Sequence, residues 1–458
     1  MTRAGGREWA IAAAIALACL LFGLLTAKPT SLRDYDQPLY LGIAQDLAVT
    51  GTYTNGRGGQ GEPGAFAAPL YPALIAGLIP FSPALARAAA ACVRAAPVDE
   101  LAACPADLGL LLPVQVALAT LTLVLCWRTG LAVTGRPAVA WGALLAAGLG
   151  TVEYAVYART AMTEALGLSL AALAGLLLVV LVRSPRLPAA LGLGVSLGLL
   201  TLTRPEYLYL VAALGLVGMA ALAVTRRFGV ALLAAVLTAA LVIAPWSVRN
   251  ERLFGTPMPT YGYAGAILAE RMAYEAMRPG EWVALWLYAL PSFGPAAARM
   301  TFPARDIERL GWEERPDTFY MVGIGQAQAE LRRDAPDPAD QVSYLVRRFV
   351  APAPLHFLAV TLVMAWKGLW VRKYLSLVGV PFFLVMLVRA IRQRDGTALA
   401  FLLPPTFILL LHAATTVSTP RYSLVLIPAY ATALAAGVAP WVAPWVARSL
   451  PLLRRRFA

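Results

Sequence analysis

Five short polar motifs carry the residue types in this sequence that could do chemistry on an anionic substrate: Arg33-Asp34-Tyr35-Asp36, Thr163-Glu164 just after Arg159, Thr203-Arg204-Pro205-Glu206, Trp246-Ser247-Val248-Arg249-Asn250 and Pro420-Arg421-Tyr422. An arginine presents a rigid planar fork of donors matched to phosphate oxygens, and a carboxylate can take a proton from a hydroxyl. Together they suit displacement of a phosphate leaving group from a sugar by an acceptor alcohol. The carboxylate would make the alcohol a better nucleophile, and the arginines would absorb the charge developing on the departing phosphate. Direct attack on the anomeric carbon inverts its configuration.

A plainer role competes for each residue. Asp34 and Asp36 could be loop charges or the N-cap of a helix over 37–50, which Pro38 and the series Leu39, Ile43, Leu47 support. Glu164 could cap the helix that follows it. Arg204, Arg249 and Arg421 could snorkel to lipid phosphates. Tyr53, Tyr71, Trp246 and Tyr422 are of the type that forms interfacial aromatic belts. What favours chemistry is that all five motifs fall independently on one face of the chain's topology.

That topology follows from composition. Of 458 residues 59% are hydrophobic and 14% charged, whereas soluble domains run at about 45–50% and about 25%. The fold class is therefore all-α, a polytopic transmembrane protein. The net charge of +13 rests on arginine, since the lysines are Lys28, Lys367 and Lys373. In so apolar a chain that excess orients helices and meets anionic lipid; it does not point to nucleic acid. His356 and His412 lie far apart and no Cys-x2-Cys pair occurs, so neither a metal nor another cofactor is predicted.

The uncharged run 9–27 exceeds the apolar core of a signal peptide and reads as a retained first helix with its N-terminus in the cytoplasm. Residues 28–107 form a first outer loop, with a Gly-rich piece at 51–64 and an apolar piece at 69–80 too short to span. Spans follow at 108–127, 138–154, 165–182, 187–201, 207–224 and 230–246, their basic ends alternating as the positive-inside rule requires. A second outer loop, 249–348, is partly soluble in composition, with an interfacial helix expected over 281–302. Candidate spans at 374–389, 397–416 and 422–447 place Arg421 outside and the clusters 389–394 and 454–456 inside. The apolar segment 353–370 must then lie along the interface or pair with 282–298. The count is about ten to twelve spans, ten being preferred, in a single module over 1–458. Cys92 and Cys104 both fall in the first outer loop, on an oxidising face, and are expected to form a disulfide; the alternative is two unpaired, packed thiols.

These motifs resemble those of the GT-C integral-membrane glycosyltransferases, and more closely the bacterial dolichyl-phosphate-mannose–protein mannosyltransferase-like family that includes the lipid A aminoarabinose transferase. The resemblance is carried by Asp36-Gln-Pro-Leu-Tyr40 with Gly51-Thr-Tyr53, by Pro69-Leu-Tyr71-Pro72, by Thr163-Glu164 and Thr203-Arg204-Pro205, by Pro245-Trp246-x2-Arg249-Asn250 to Gly255, and by Arg421-Tyr422 with Pro428. In this order they spread over most of the chain. The resemblance implies a GT-C fold and an enzyme that takes sugar from a polyprenyl-phosphate donor to an envelope acceptor (glycolipid, polysaccharide or protein) on the outer face of the bacterial inner membrane. It assigns the catalytic role to Asp36, with Asp34 two residues off the spacing as a supporting acid; the residue chemistry above adds Glu164 as a second supporting acid, Arg204, Arg249 and Arg421 as candidates for donor phosphate binding, and Tyr40, Tyr71 and Tyr422 as candidates for substrate lining. Two departures stand out. No sizeable C-terminal soluble domain follows, which leaves acceptor recognition to the outer loops, and Ala68 stands where the lipid A enzyme has Lys, which counts against aminoarabinose. The competing class is a transporter or flippase of lipid-linked sugars, whose functional charges would sit near the bilayer midplane on broken helices.

Overall fold

The computed structural model describes residues 5–27, 30–33, 36–56, 61–95, 100–101, 104, 107–312, 315–371 and 373–456, with backbone only for 151–154, 373–374 and 442–456. The expected Asp34 lies outside the described residues. Helix α1 (Gly6–Thr26) precedes the segment read as the first outer loop, which holds α2 (Gln37–Thr50), α3 (Leu70–Leu78) and α4 (Pro83–Arg87). A continuous group follows: α5 (Leu111–Thr134), α6 (Pro137–Tyr154), α7 (Glu164–Arg183), α8 (Leu187–Thr201), α9 (Tyr207–Val224) and α10 (Arg226–Phe254). The second outer segment contains α11 (Tyr263–Met272), α12 (Pro279–Tyr288), α13 (Gly294–Thr301), α14 (Phe319–Val322), α15 (Gln328–Asp334) and α16 (Pro338–Leu345). Helices α17 (Pro354–Leu369), α18 (Lys373–Gln393), α19 (Gly396–Thr415) and α20 (Ile427–Arg456) complete the chain.

Among the described residues eight helices are long and apolar enough to cross a bilayer, and α6 and α8 are shorter apolar helices. The connections at 184–186 and 202–206 are tight, so α8 must run antiparallel to both α7 and α9 and cross with them. With so many apolar helices among the described residues, the chain is a multi-pass membrane protein, and α6 and α8 added to the eight coincide with the ten segments read as spans in the sequence. Leu216, Leu237 and Leu241 project outward from the bundle, as a lipid solvent allows.

The spans pack as two groups that share α19. One core joins α1, α5, α6, α18 and α20 around Trp127, Phe383 and Tyr430. The other joins α7 to α10 around Leu193, Leu197, Leu232 and Ala235. Lipid supplies little hydrophobic drive between helices, so close backbone approach carries the packing. Gly194 and Gly198 let α8 lie against α10; a Cβ at Gly194 would strike the Ala235 carbonyl, and one at Gly198 would fall 2.6 Å from Val242 Cβ.

Helix α2 starts and stops where its sequence says, with Pro38 in the first turn and Gly51 left-handed at the C-cap, φ 71°. The sequence reading ended the last span of the central group at Trp246, but α10 continues past Pro245 to Phe254. Trp246 Nε1 donates to the Pro259 carbonyl at 2.8 Å and Asn250 Nδ2 to the Met258 carbonyl at 2.8 Å. Those clamps fold the following loop onto the last two turns and hold them helical beyond the proline. Helix α17 buries Val360, Val363 and Met364 against the second outer segment and exposes Leu355, Leu358 and Leu362. Trp282 Nε1 and Trp366 Nε1 bond across that contact to the Ala359 and Trp286 carbonyls, at 2.9 and 2.8 Å. Cys92 and Cys104 are joined, their Cα atoms 5.9 Å apart. Two backbone bonds fasten the outer loops over the bundle: Leu70 N–H to the Leu202 carbonyl and Tyr261 N–H to the Ala65 carbonyl, both 2.8 Å.

Candidate active site

Helix α2 begins at a cavity of about 1300 Å³ that lies between the two segments read as outer loops and the span ends next to them. Asp36 occupies the N-cap position of α2 but makes no side-chain cap bond. Its Oδ2 instead accepts a hydrogen bond from Arg421 Nη2 at 2.9 Å, and its side chain is 45% exposed toward the cavity. Capping is therefore not what this carboxylate does. Arg421 stands on the 3-10 turn Pro420–Leu426 between α19 and α20.

From Asp36 the charges alternate inward. Arg421 Nε lies 3.3 Å from Glu164 Oε1, and Arg204 Nη1 lies 3.6 Å from the same oxygen. Arg204 Nε reaches Glu206 Oε1 at 2.7 Å, and His412 Nε2 lies 3.4 Å from that oxygen. Glu164 is 1% exposed and forms the first turn of α7, where the helix dipole favours a negative charge. It does not reach the cavity; it holds two guanidiniums that do. Removing either partner would strand a buried charge, so the cluster is mutually locked. Burial works against the charge on Arg204, but Glu206 and Glu164 more than offset it and hold its pKa above the usual range. Burial would raise Glu206, yet Arg204 and His412 hold it well below the ordinary carboxylate value. The arginines are thus engaged with carboxylates, not snorkelling. Gly167 makes the arrangement possible, because a Cβ there would fall 2.9 Å from Arg204 Cδ.

Tyr422 lines the cavity with its ring 5.1 Å from the Arg421 guanidinium carbon and 5.8 Å from that of Arg204. Tyr40 also lines it, and burial followed by the Asp36 charge raises its pKa and keeps the phenol protonated. Tyr71 stands behind Tyr40, ring to ring at 5.4 Å, and its hydroxyl donates to Gln115 Oε1 at 2.9 Å. It supports the wall and does not line it. Gln115 Nε2 in turn donates to the Ala158 and Thr160 carbonyls, and Gln37 Oε1 accepts from Ala161 N–H at 2.9 Å. These buried amides, passed over in the sequence, fix the approach to α7 and so the position of Glu164.

Arg249 is not brought to this cluster. Its guanidinium stacks on Trp246 at 4.4 Å and near Tyr53 and Phe254, and bonds to the Tyr53 carbonyl and Asn250 Oδ1. It belongs to the clamp on the end of α10. The second outer segment supplies what the motifs did not reveal. Tyr263, Ile267 and Glu270 share the cavity face of α11, while Leu268, Ala269 and Met272 pack into the loop's own core. That i, i+4, i+7 spacing was the available signal. Trp312, Tyr320 and Gln328 complete this wall. Burial first, then the Asp36 charge, pushes the Glu270 carboxyl up to about 7. Among the described residues no group of three or more His, Cys, Asp or Glu is placed to hold a metal ion.

No protein-family model matches the sequence, and no curated protein matches it. Among solved structures, the oligosaccharyltransferase of Archaeoglobus fulgidus, in complex with Zn and sulfate, is similar at TM-score 0.50 and 11% identity, covering 98% of this chain and 51% of that one. Arabinosyltransferase EmbB from Mycobacterium smegmatis gives TM-score 0.36 and 17% identity, covering 95% of this chain and 42% of that one. The chain spans about half the length of the structures it matches. The likeness to the archaeal enzyme is one of fold, and it accords with the all-α polytopic fold class expected from the sequence.

Proposed function

We propose that this protein is an inverting glycosyltransferase that moves a sugar from a polyprenyl-phosphate donor to an acceptor hydroxyl at the outer face of a bacterial inner membrane. The observation that carries the reading is Asp36, a carboxylate open to a large cavity and held by an arginine that faces the same space. In the reaction the free oxygen of Asp36 accepts the acceptor's proton as its oxygen bonds to the anomeric carbon. The bond from that carbon to the phosphate oxygen breaks, and its electron pair leaves with the phosphate. Arg421 and Arg204 meet the charge that develops there. An apolar cleft bordered by Leu168, Leu197, Tyr207, Phe401 and Val425 separates the two groups of spans next to this cluster, and it suits a prenyl chain entering from the membrane. Glu164 serves as a positioning residue, and Asp34 is kept as a supporting acid of the same loop.

The charges supporting this reading stand at helix ends: Glu164 opens α7, Glu206 precedes α9 and Arg421 follows α19. A flippase would need them near the midplane. The test uses purified protein in lipid nanodiscs, a radiolabelled short-chain polyprenyl-phosphate sugar, and envelope extract as acceptor. Release of free polyprenyl phosphate with label transferred is expected, and Asp36→Asn should slow it by about 100-fold or more with the melting temperature retained. Full turnover in Asp36→Asn would remove the proposed base, and donor translocation without cleavage would favour the flippase.

A further inference from the structure

The cavity has two chemically unlike sides. Toward the spans it is ionic, with Asp36, Arg421, Arg204 and Glu206. Toward the second outer segment it is aromatic, with one amide and one carboxyl. There Gln328 Nε2 donates to Glu270 Oε1 at 2.9 Å, which leaves the carboxyl its second oxygen and the amide its second hydrogen. Trp312 and Tyr320 meet edge to face at 4.7 Å and 74°. The Lys367 nitrogen lies over the indole, 4.7 Å from its ring centre, and donates to the Val417 carbonyl at 3.1 Å.

Such a wall suits a neutral polyol ring. The C–H bonds on one face of a pyranose carry partial positive charge and meet the negative face of an aromatic ring, while a paired carboxyl and amide bond two neighbouring hydroxyls. It suits an anionic headgroup poorly, because its own charged group is Glu270. Few polar groups set in an aromatic surface are also the usual composition of a specific small-molecule site. We infer that Glu270, Gln328, Trp312 and Tyr320 form a pyranose-binding subsite that presents a sugar ring to Asp36. This rests on the transferase reading for its purpose, though not for its test, and it makes the reaction a sugar-to-sugar transfer if the ring is the acceptor's.

The test is saturation-transfer NMR on the full-length protein in nanodiscs, with methyl α-D-mannopyranoside and methyl β-D-glucopyranoside as probes and open-chain sorbitol as control. Saturation of the pyranoside ring protons but not of sorbitol is expected, falling about fivefold in Glu270→Ala and in Gln328→Ala, as loss of one hydrogen bond each predicts. Gln328 lies on a short outer helix, so its variant separates lost binding from lost folding. Equal signals for pyranoside and sorbitol, or signals unchanged in both variants, would overturn the subsite. Adding a farnesyl-phosphate-linked mannose tells the two sources of the ring apart. Displacement of the methyl glycoside assigns the subsite to the donor's sugar, and persistence assigns it to the acceptor's. Pyranoside binding in a protein that never cleaves the donor would keep the subsite and refute the transferase.

Discussion

Arg421 Nη2 donates to Asp36 Oδ2 at 2.9 Å across 385 residues of sequence, and the same guanidinium reaches the buried Glu164 with its Nε at 3.3 Å. One arginine therefore joins the proposed base to the structural carboxylate beneath it. The pairing has a chemical consequence on the proposed reading. A guanidinium bonded to Asp36 makes that carboxylate a weaker base, and a donor phosphate competing for the same fork loosens the bond. Donor binding then strengthens the base only when a leaving group is present, which protects against idle proton transfer.

If Arg421 has this double role, its charge alone is not enough. Arg421→Lys keeps a cation but loses the fork, and Arg421→Ala loses both. Donor kcat/KM is expected to fall by about tenfold in the lysine variant and by about 100-fold in the alanine variant. Arg249→Ala should leave donor kinetics within about twofold and lower thermal stability instead, since Arg249 stacks on Trp246 and bonds to the Tyr53 carbonyl. Steady-state kinetics and melting curves on the three variants check this, and a donor defect in Arg249→Ala would return it to the phosphate site.

Much of this was legible in the chain. The bounds of α2 follow from Pro38 and Gly51, and the alternation of basic ends marks the long apolar helices because lipid leaves helices few other choices. Asp36, Glu164, Arg204, Arg421, Tyr40 and Tyr422 were found by type and place, and the structure brings them together. Arg249 was misplaced because it shares a motif with Trp246 and Asn250, whose partners lie in the loop at 258–259 and are set by tertiary contact. Glu270 and Trp312 were missed for the same reason: a soluble-looking loop has no membrane to dictate which face turns inward.

Gly167 sits one turn past Glu164, and a Cβ there would press on Arg204 Cδ at 2.9 Å. The obstruction is the stem of a long side chain, so Gly167→Ala should fold and displace the guanidinium from Glu164 by a few tenths of an ångström. An approximately three- to tenfold rise in donor KM with little change in kcat is expected, equivalent to roughly 1 kcal/mol of weakened binding. Unchanged KM would mean that Arg204 adjusts freely and its position is not critical.

The Cys92–Cys104 bridge closes a loop of 12 residues' separation, and its Cys92 end lies within the π-helical stretch Ala88–Ala95 that packs on α2. A loop this short gains about 3 kcal/mol by chain entropy. Alkylation should label two additional thiols only after reduction, and Cys92→Ser should lower the melting temperature without abolishing donor cleavage, because neither cysteine lines the cavity. Labelling of both thiols without reductant would exclude the bridge.

Glu270 gives the cavity a pH dependence of definite sign. Its ordinary value of 4.5 is raised to about 7 in the folded protein by burial and then by the charge on Asp36, with Gln328 and Arg421 opposing. Below about 4.5 the group is protonated in both folded and unfolded chains and contributes no difference. Between 4.5 and about 7 the folded state holds a proton that the unfolded chain has released, so stability falls as pH rises through this window and stays lower above it. Glu270→Gln cannot ionise and lacks that loss. The melting temperature of the wild type should therefore drop relative to the variant from pH 5 to about 7 and then run parallel to it. Function should follow the same group. Above about pH 7 a second negative charge faces Asp36 in the space where an anionic donor must bind, and donor KM should rise by about fivefold, roughly 1 kcal/mol at the effective dielectric of a partly wet cavity. In Glu270→Gln that step should be flat across pH 6 to 8, while any dependence arising from Asp36 or the donor phosphate remains. A wild-type profile that keeps its step near pH 7 in the glutamine variant would assign the titration to another group and remove Glu270 from the cavity's electrostatics.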